Sequence, residues 1–123
     1  MKKKKILIAE DNLINQKVAL LMLKKFDQII ELADNGLVAV EKFKSNHYDL
    51  VLMDLHMPEL DGFEAARKIR EIEDAEQRPV KTKIFAMTAS SVYDERENCI
   101  NAGMDGYLAK PFRNDDVMAL LAG

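Results

Sequence analysis

Short apolar runs alternate with longer amphipathic stretches along the whole chain. Ile6-Leu7-Ile8-Ala9 is too short for a helix, is rich in strand formers, and runs into Glu10-Asp11-Asn12. From Ile14 the period changes. Ile14, Val18, Leu21, Met22 and Phe26 share one helical face, with Asn12 suited to the N-cap. The cycle then repeats. Ile29–Ala33 is a second strand, Asp34-Asn35-Gly36 a turn, and a helix follows with Ala39, Val40 and Phe43 on its inner side. Leu50-Val51-Leu52-Met53 is a continuous apolar strand ending at Asp54. A loop with Pro58 and Gly62 leads to a helix carrying Ala66 and Ile69, and Asp61 and Glu64 have the spacing of a capping box. The polar stretch Glu73–Lys81, with Pro79, is expected to be a loop. Lys83–Met87 makes a fourth strand ending at Thr88, and a helix over Ser91–Ala102 stops at Gly103, a natural C′ residue. Gly106–Ala109 is a short fifth strand before Lys110-Pro111. The last helix starts near Asn114, with Asp115 and Asp116 at its positive end.

Five strands that are apolar throughout, alternating with five helices, predict a parallel sheet covered on both faces. The 123 residues suit one α/β domain, residues 1–123, with no internal repeat or linker. The chain stops soon after its last helix begins, as a piece cut from something longer would.

Composition narrows the function. A net charge of −3 gives no general field for nucleic acid or anionic lipid, and Lys2-Lys3-Lys4-Lys5 fits a solvated flank of the first strand. The single cysteine, Cys99, cannot form an internal disulfide and is expected to be a small buried hydrophobe, which makes a reducing cytoplasm the simplest setting. No apolar run approaches the ~20 residues of a membrane span, and no secretion signal is visible at the N-terminus.

Ligands of a doubly wound sheet bind beyond the carboxyl ends of its strands, where strand order reverses. Strand one delivers Glu10 and Asp11 there, strand three Asp54, strand four Thr88 and strand five Lys110; strand two ends in a plain turn. If strands one and three are neighbours, three carboxylates crowd together. At ~5 Å each pair repels by about 3 kcal/mol at an effective dielectric near 20. Protonation or a cation must relieve that. An all-oxygen cluster favours a hard ion, and Mg²⁺ fits best, with Mn²⁺ as the alternative. A carboxylate beside such an ion can attack a phosphoryl centre, while Lys110 offers a charge and Thr88 a hydroxyl to its oxygens.

Four segments carry a family resemblance: Ile8-Ala9-Glu10-Asp11-Asn12, Asp54-Leu55-His56-Met57-Pro58-Glu59-Leu60-Asp61-Gly62, Met87-Thr88-Ala89 and Tyr107-Leu108-Ala109-Lys110-Pro111-Phe112. In this order, and at strand ends, they resemble the receiver domain of two-component response regulators over nearly the full chain. The stretch from Asn12 to Val18 looks most like receivers of hybrid sensor histidine kinases. The resemblance implies a flavodoxin-like (βα)5 three-layer sandwich with sheet order 2-1-3-4-5. It makes Asp54 the phosphoacceptor and Asp11 the direct metal ligand. Glu10 becomes the ligand acting through water, and the His56 backbone carbonyl the third protein ligand. Thr88 becomes the hydroxyl that closes on the phosphoryl group, Lys110 its ion partner, and Tyr107 an aromatic switch. It implies a cis Lys110-Pro111 bond and a signalling face made by the fourth helix, fifth strand and fifth helix. The implied partner is a histidine kinase or histidine phosphotransfer domain, with an output domain or parent kinase chain downstream. The implied setting is cytoplasmic, including the cytoplasmic part of a membrane-anchored sensor kinase. Glu10 stands where many members have Asp, which touches only fine metal geometry.

Two other readings compete. A phosphatase of the haloacid dehalogenase type also uses a strand-end aspartate with Mg²⁺, but Asp54-Leu55-His56 lacks the second acid of its Asp-x-Asp start. A metal-free interaction module would not need the acids, threonine and lysine that are present. No G-x-G-x-x-G or Walker-type segment supports nucleotide binding. The expectation is self-catalysed phosphotransfer and dephosphorylation rather than turnover. The His56 imidazole and Ser90 can tune how water reaches the acyl phosphate. His47 is expected at the surface, the seven methionines in the core, and Tyr48 and Tyr93 have no role in this reading.

Overall fold

The computed structural model describes residues 3–88, 92–110 and 113–122, without the side chains of 92–95. Its elements run β1 (Lys5–Ala9), α1 (Leu13–Lys24), β2 (Ile29–Ala33), α2 (Gly36–Ser45), β3 (Leu50–Asp54), α3 (Gly62–Ala75), β4 (Lys83–Thr88), α4 (Val92–Asn101), β5 (Gly106–Ala109) and α5 (Asn114–Ala122). All pairings are parallel, in the order β2-β1-β3-β4-β5. This is the flavodoxin-like order that the resemblance implied.

Alternate strand residues feed two cores. Leu7, Ala9, Val51, Met53, Ile84 and Ala86 pack with buried residues of α2, α3 and α4. Ile6, Ile8, Leu50, Leu52 and Met87 pack with Ala19 and Leu23 of α1 and Val117 and Leu121 of α5. Strands buried on both faces explain why the central runs are apolar without alternation. Ala39, Val40 and Phe43 line the inner side of α2 as expected, and Cys99 is buried. The caps also match. Asn12 Oδ1 accepts from Asn15 N at 3.0 Å, and Asp61 Oδ1 from Glu64 N at 2.9 Å.

Three sequence expectations need correction. Met118 of α5 does not fill the core but is 49% exposed. The apolar face of α1 is not its packed face: Ile14 is 71% exposed, Leu21 66% and Val18 44%. The helix is apolar almost all round, and the side that meets the sheet is the narrower Gln16, Ala19, Leu23 stripe. Glu73 also does not start a loop, because α3 continues to Ala75. Its carboxylate is fully buried, accepting from Arg70 Nη1 at 2.7 Å and from Thr82 N at 2.7 Å. Arg70 also donates to Thr82 O, Gly103 O and Asp105 Oδ2, at 2.7, 2.9 and 2.9 Å. One guanidinium thereby joins the end of α3 to the starts of β4 and β5. The expected cis Lys110-Pro111 bond and the roles of Ser90, Phe112 and the Tyr93 side chain lie outside the described residues.

Tyr48, which had no role in the sequence, is buried, and its hydroxyl donates to Glu31 Oε1 at 2.5 Å. Burial pushes the phenol well above its ordinary pKa, and the Glu31 hydrogen bond and charge add to this. The same hydrogen bond, opposed by burial and helped by Lys5, holds Glu31 below the usual carboxylate range. A raised phenol pKa gives stability that is complete below about pH 10 and fades as pH climbs through the folded value. A lowered carboxyl pKa gives stability present above about pH 4.3 that fades as pH falls through the folded value. Tyr48→Phe is therefore expected to cost about 1 kcal/mol at neutral pH, since Glu31 is partly solvated, and to flatten the pH profile at both ends. Urea denaturation across pH checks this; an unchanged profile refutes it.

Candidate functional site

Strand order reverses between β1 and β3, and of the sequence-identified residues Glu10, Asp11, Asp54 and Lys110 meet there. Ala9 pairs with Met53, so Glu10 lies level with Asp54. One carboxylate oxygen from each of Glu10, Asp11 and Asp54 lies within 4.8 Å of the others. Glu10 and Asp54 are 1% and 8% exposed while Asp11 is open to solvent, so the cluster is walled on one side only.

Lys110 answers the crowded charge. Its Nζ lies 2.6 Å from Glu10 Oε1 and 3.6 Å from Asp54 Oδ2. Its backbone N donates to Thr88 O at 2.9 Å, which extends the β4–β5 ladder and fixes where the side chain starts. Glu10 Oε2 accepts from Asn12 N at 3.1 Å, and Asp54 Oδ1 accepts from His56 N at 3.3 Å. Both Glu10 carboxylate oxygens and Asp54 Oδ1 thus accept hydrogen bonds, and Asp54 Oδ2 faces the Lys110 charge, so these two acids are held in place before any ligand arrives.

Thr88 ends β4, buried, one step past the Met87 that pairs with Asp54. Tyr107 sits on β5 opposite Ala86, 37% exposed. The His56 side chain is exposed on the loop after β3. His47 is exposed too, with Nε2 3.9 Å from Asp49 Oδ1.

Two features were missed in the sequence. Lys110 sits closer to Glu10 than to Asp54, a choice set by side-chain reach that spacing does not encode. Gln16 is buried and touches the Glu10 backbone, its Nε2 2.6 Å from Glu10 O. Its signal was present: a polar residue in helical step with buried Ala19 and Leu23.

The sequence pattern of the response regulator receiver domain family matches residues 6–122. The chain belongs to that family. Among its relatives, this receiver is 43% identical over 121 residues to hybrid signal transduction histidine kinase B of Dictyostelium discoideum. That alignment covers 93% of the chain and 6% of the relative. It is 35% identical to histidine kinase 2 of Arabidopsis thaliana, over 99% of the chain and 12% of the relative. The receiver thus spans a small fraction of the length of the curated relatives it matches. Among solved structures it resembles the receiver domain of sensor histidine kinase PA1611 from Pseudomonas aeruginosa PAO1, which has a magnesium ion coordinated in its active site cleft. The TM-score is 0.84 at 38% identity, over 98% of this chain and 95% of that one. It also resembles a chain of the Saccharomyces cerevisiae co-crystal structure of the histidine phosphotransfer protein Ypd1 with the receiver domain of Ssk1. There the TM-score is 0.85 at 34% identity, over 94% of this chain and 84% of that one.

No helix among the receiver's described residues is long and apolar enough to cross a membrane. The donor set fits Mg²⁺: carboxylate oxygens are hard ligands, and the open Asp11 side leaves room for the waters that Mg²⁺ retains.

Proposed function

We propose that residues 1–123 act as one phosphoacceptor receiver, taking a phosphoryl group from phosphohistidine onto Asp54. Mg²⁺ would be held by Glu10, Asp11, Asp54 and the His56 backbone carbonyl. The observation that carries this reading is the convergence of three strand-end carboxylates with the Lys110 ammonium at the β1/β3 switch point. When bound, Mg²⁺ neutralises charge on the transferring phosphoryl oxygens.

The chain's own residues supply the rest. An Asp54 carboxylate oxygen attacks phosphorus; an O–P bond forms as the N–P bond breaks, and the imidazole leaves with the electron pair. The Lys110 ammonium stabilises the equatorial oxygens, and Thr88 donates its hydroxyl to one of them. Tyr107, on the neighbouring strand, turns inward in the phosphorylated form. The change biases an existing equilibrium that α4, β5 and α5 report to an output domain or parent kinase chain. The setting is cytoplasmic, and the parent of this kind of receiver is a hybrid sensor histidine kinase.

The exposed ridge of α1 supports a helical protein as phosphodonor. Leu13, Ile14, Val18 and Leu21 are 68, 71, 44 and 66% exposed, on a helix that begins two residues after Asp11. An apolar ridge on a surface is what a partner's helix covers. A histidine phosphotransfer domain or histidine kinase covering it would lie beside the acid cluster.

Mass spectrometry after incubation with acetyl phosphate tests the reading: one phosphoryl group is gained with Mg²⁺ and none with excess EDTA. Equal incorporation in EDTA sinks it. Ile14→Asp with Leu21→Asp is expected to slow transfer from a phosphorylated histidine phosphotransfer domain about tenfold or more, and labelling by acetyl phosphate far less. Equal slowing of both removes the ridge from the docking reading.

A further inference from the structure

The turn after β2 brings no group to the acid cluster, yet it touches both loops that do. Gln16 of α1 is 6% exposed, and its Nε2 lies 2.6 Å from Glu10 O and 3.0 Å from Asp34 Oδ1. Glu10 N donates to Ala33 O at 3.0 Å, so Glu10 is tied to the end of β2 on its backbone N–H as well. On the other side, a Cβ added to Gly36 would lie 2.1 Å from Leu60 O. Only a residue without a side chain lets the turn rest against the loop that carries His56.

We infer that Gln16 is a positioning residue for the metal site, bridging the Glu10 carbonyl to a brace formed by Asp34, Asn35 and Gly36. This rests on the metal-dependent reading above. The amide has one task at each end. On the Glu10 side it fixes the peptide that joins the two consecutive acids, so it limits where both carboxylates reach. On the Asp34 side it is itself held, so it cannot follow Glu10 if that peptide rotates. Asn35 fixes the turn in its place, its Oδ1 accepting from Val38 N at 2.9 Å. A ligand loop held before binding has less conformational freedom to lose when the ion arrives. Outer partners of metal ligands act in this way, and their loss lowers metal affinity or activity.

The test is the Mg²⁺ dissociation constant of the full chain, from amide chemical-shift titration without phosphodonor. It is paired with the Mg²⁺ dependence of acetyl phosphate labelling. Gln16→Met keeps length and burial but removes both donated bonds. It is expected to raise the dissociation constant about tenfold, the low end for loss of an outer partner. Labelling at saturating Mg²⁺ should stay within about twofold, the split expected when positioning rather than chemistry is lost. Asp34→Asn keeps an acceptor for Gln16 and is expected to bind Mg²⁺ nearly as the unsubstituted chain does. Asp34→Ala removes the acceptor and is expected to weaken binding. Because Asp34 is exposed, this pair carries the test even if Gln16→Met does not fold. Equal losses in Asp34→Asn and Asp34→Ala would mean a charge effect and overturn the brace. So would an unchanged constant in Gln16→Met. An unsubstituted chain with no response to Mg²⁺ would bring down the metal reading and the brace together.

Discussion

Asp54→Asn is expected to abolish phosphoryl incorporation, with a loss of about three orders of magnitude or more, the scale on which removal of a nucleophile registers. The amide occupies nearly the same volume, so the buried end of β3 need not repack. What changes is chemistry. A neutral amide oxygen is a poor nucleophile toward phosphorus, and one of three closely spaced carboxylates disappears from the metal site. The second loss has its own signature. Mg²⁺ stabilises a folded chain only as far as it binds it, so the Mg²⁺-dependent rise in melting temperature should shrink in the variant. Lys110 would keep its 2.6 Å partner Glu10, which separates this variant from a general collapse of the site. Mass spectrometry and thermal denaturation in Mg²⁺ and in EDTA check both halves. Incorporation at the unsubstituted level would remove Asp54 as acceptor.

Arg70→Met is expected to be among the most destabilising single changes, at about 3–5 kcal/mol, because it leaves a buried charge without its counterion. That is a large share of the ~5–15 kcal/mol that holds a small domain together. Glu73 is 0% exposed and would retain the Thr82 N–H alone among the donors described here. Thr82 O, Gly103 O and Asp105 would each lose a donor in the same step. Asp105 Oδ2 would still accept from Ile84 N at 2.8 Å, so the β4–β5 junction should loosen rather than separate. The double variant Arg70→Met with Glu73→Leu is expected to recover much of the loss, since an apolar pair replaces an orphaned ion. Urea denaturation of both variants decides the matter. A loss under about 1 kcal/mol in Arg70→Met would refute the Arg70–Glu73 pair as a major stabilising contact.

The strands were legible because a parallel sheet covered on both faces demands continuous apolar runs, and each run here ends on a polar residue. Glu10, Asp54, Thr88 and Lys110 could therefore be placed at one rim before any coordinates. The packed side of α1 was not legible. Leu13, Ile14, Val18 and Leu21 are as apolar as the residues that pack, and only the sheet decides which stripe it meets. Glu73 was misplaced for the opposite reason. A carboxylate in a polar stretch signals solvent until a guanidinium three residues earlier is known to reach it. The turn at Asp34 looked idle because its partners, Gln16 and Leu60, are distant in sequence.

The ridge on α1 separates two demands that most surfaces combine. Its four side chains add little to either core, so exchanging one for another should hardly disturb folding. Each methylene that a partner covers still favours association. On the docking reading, a lineage could therefore rewrite whom such a helix recognises, letter by letter, without disturbing the acid cluster a few residues upstream.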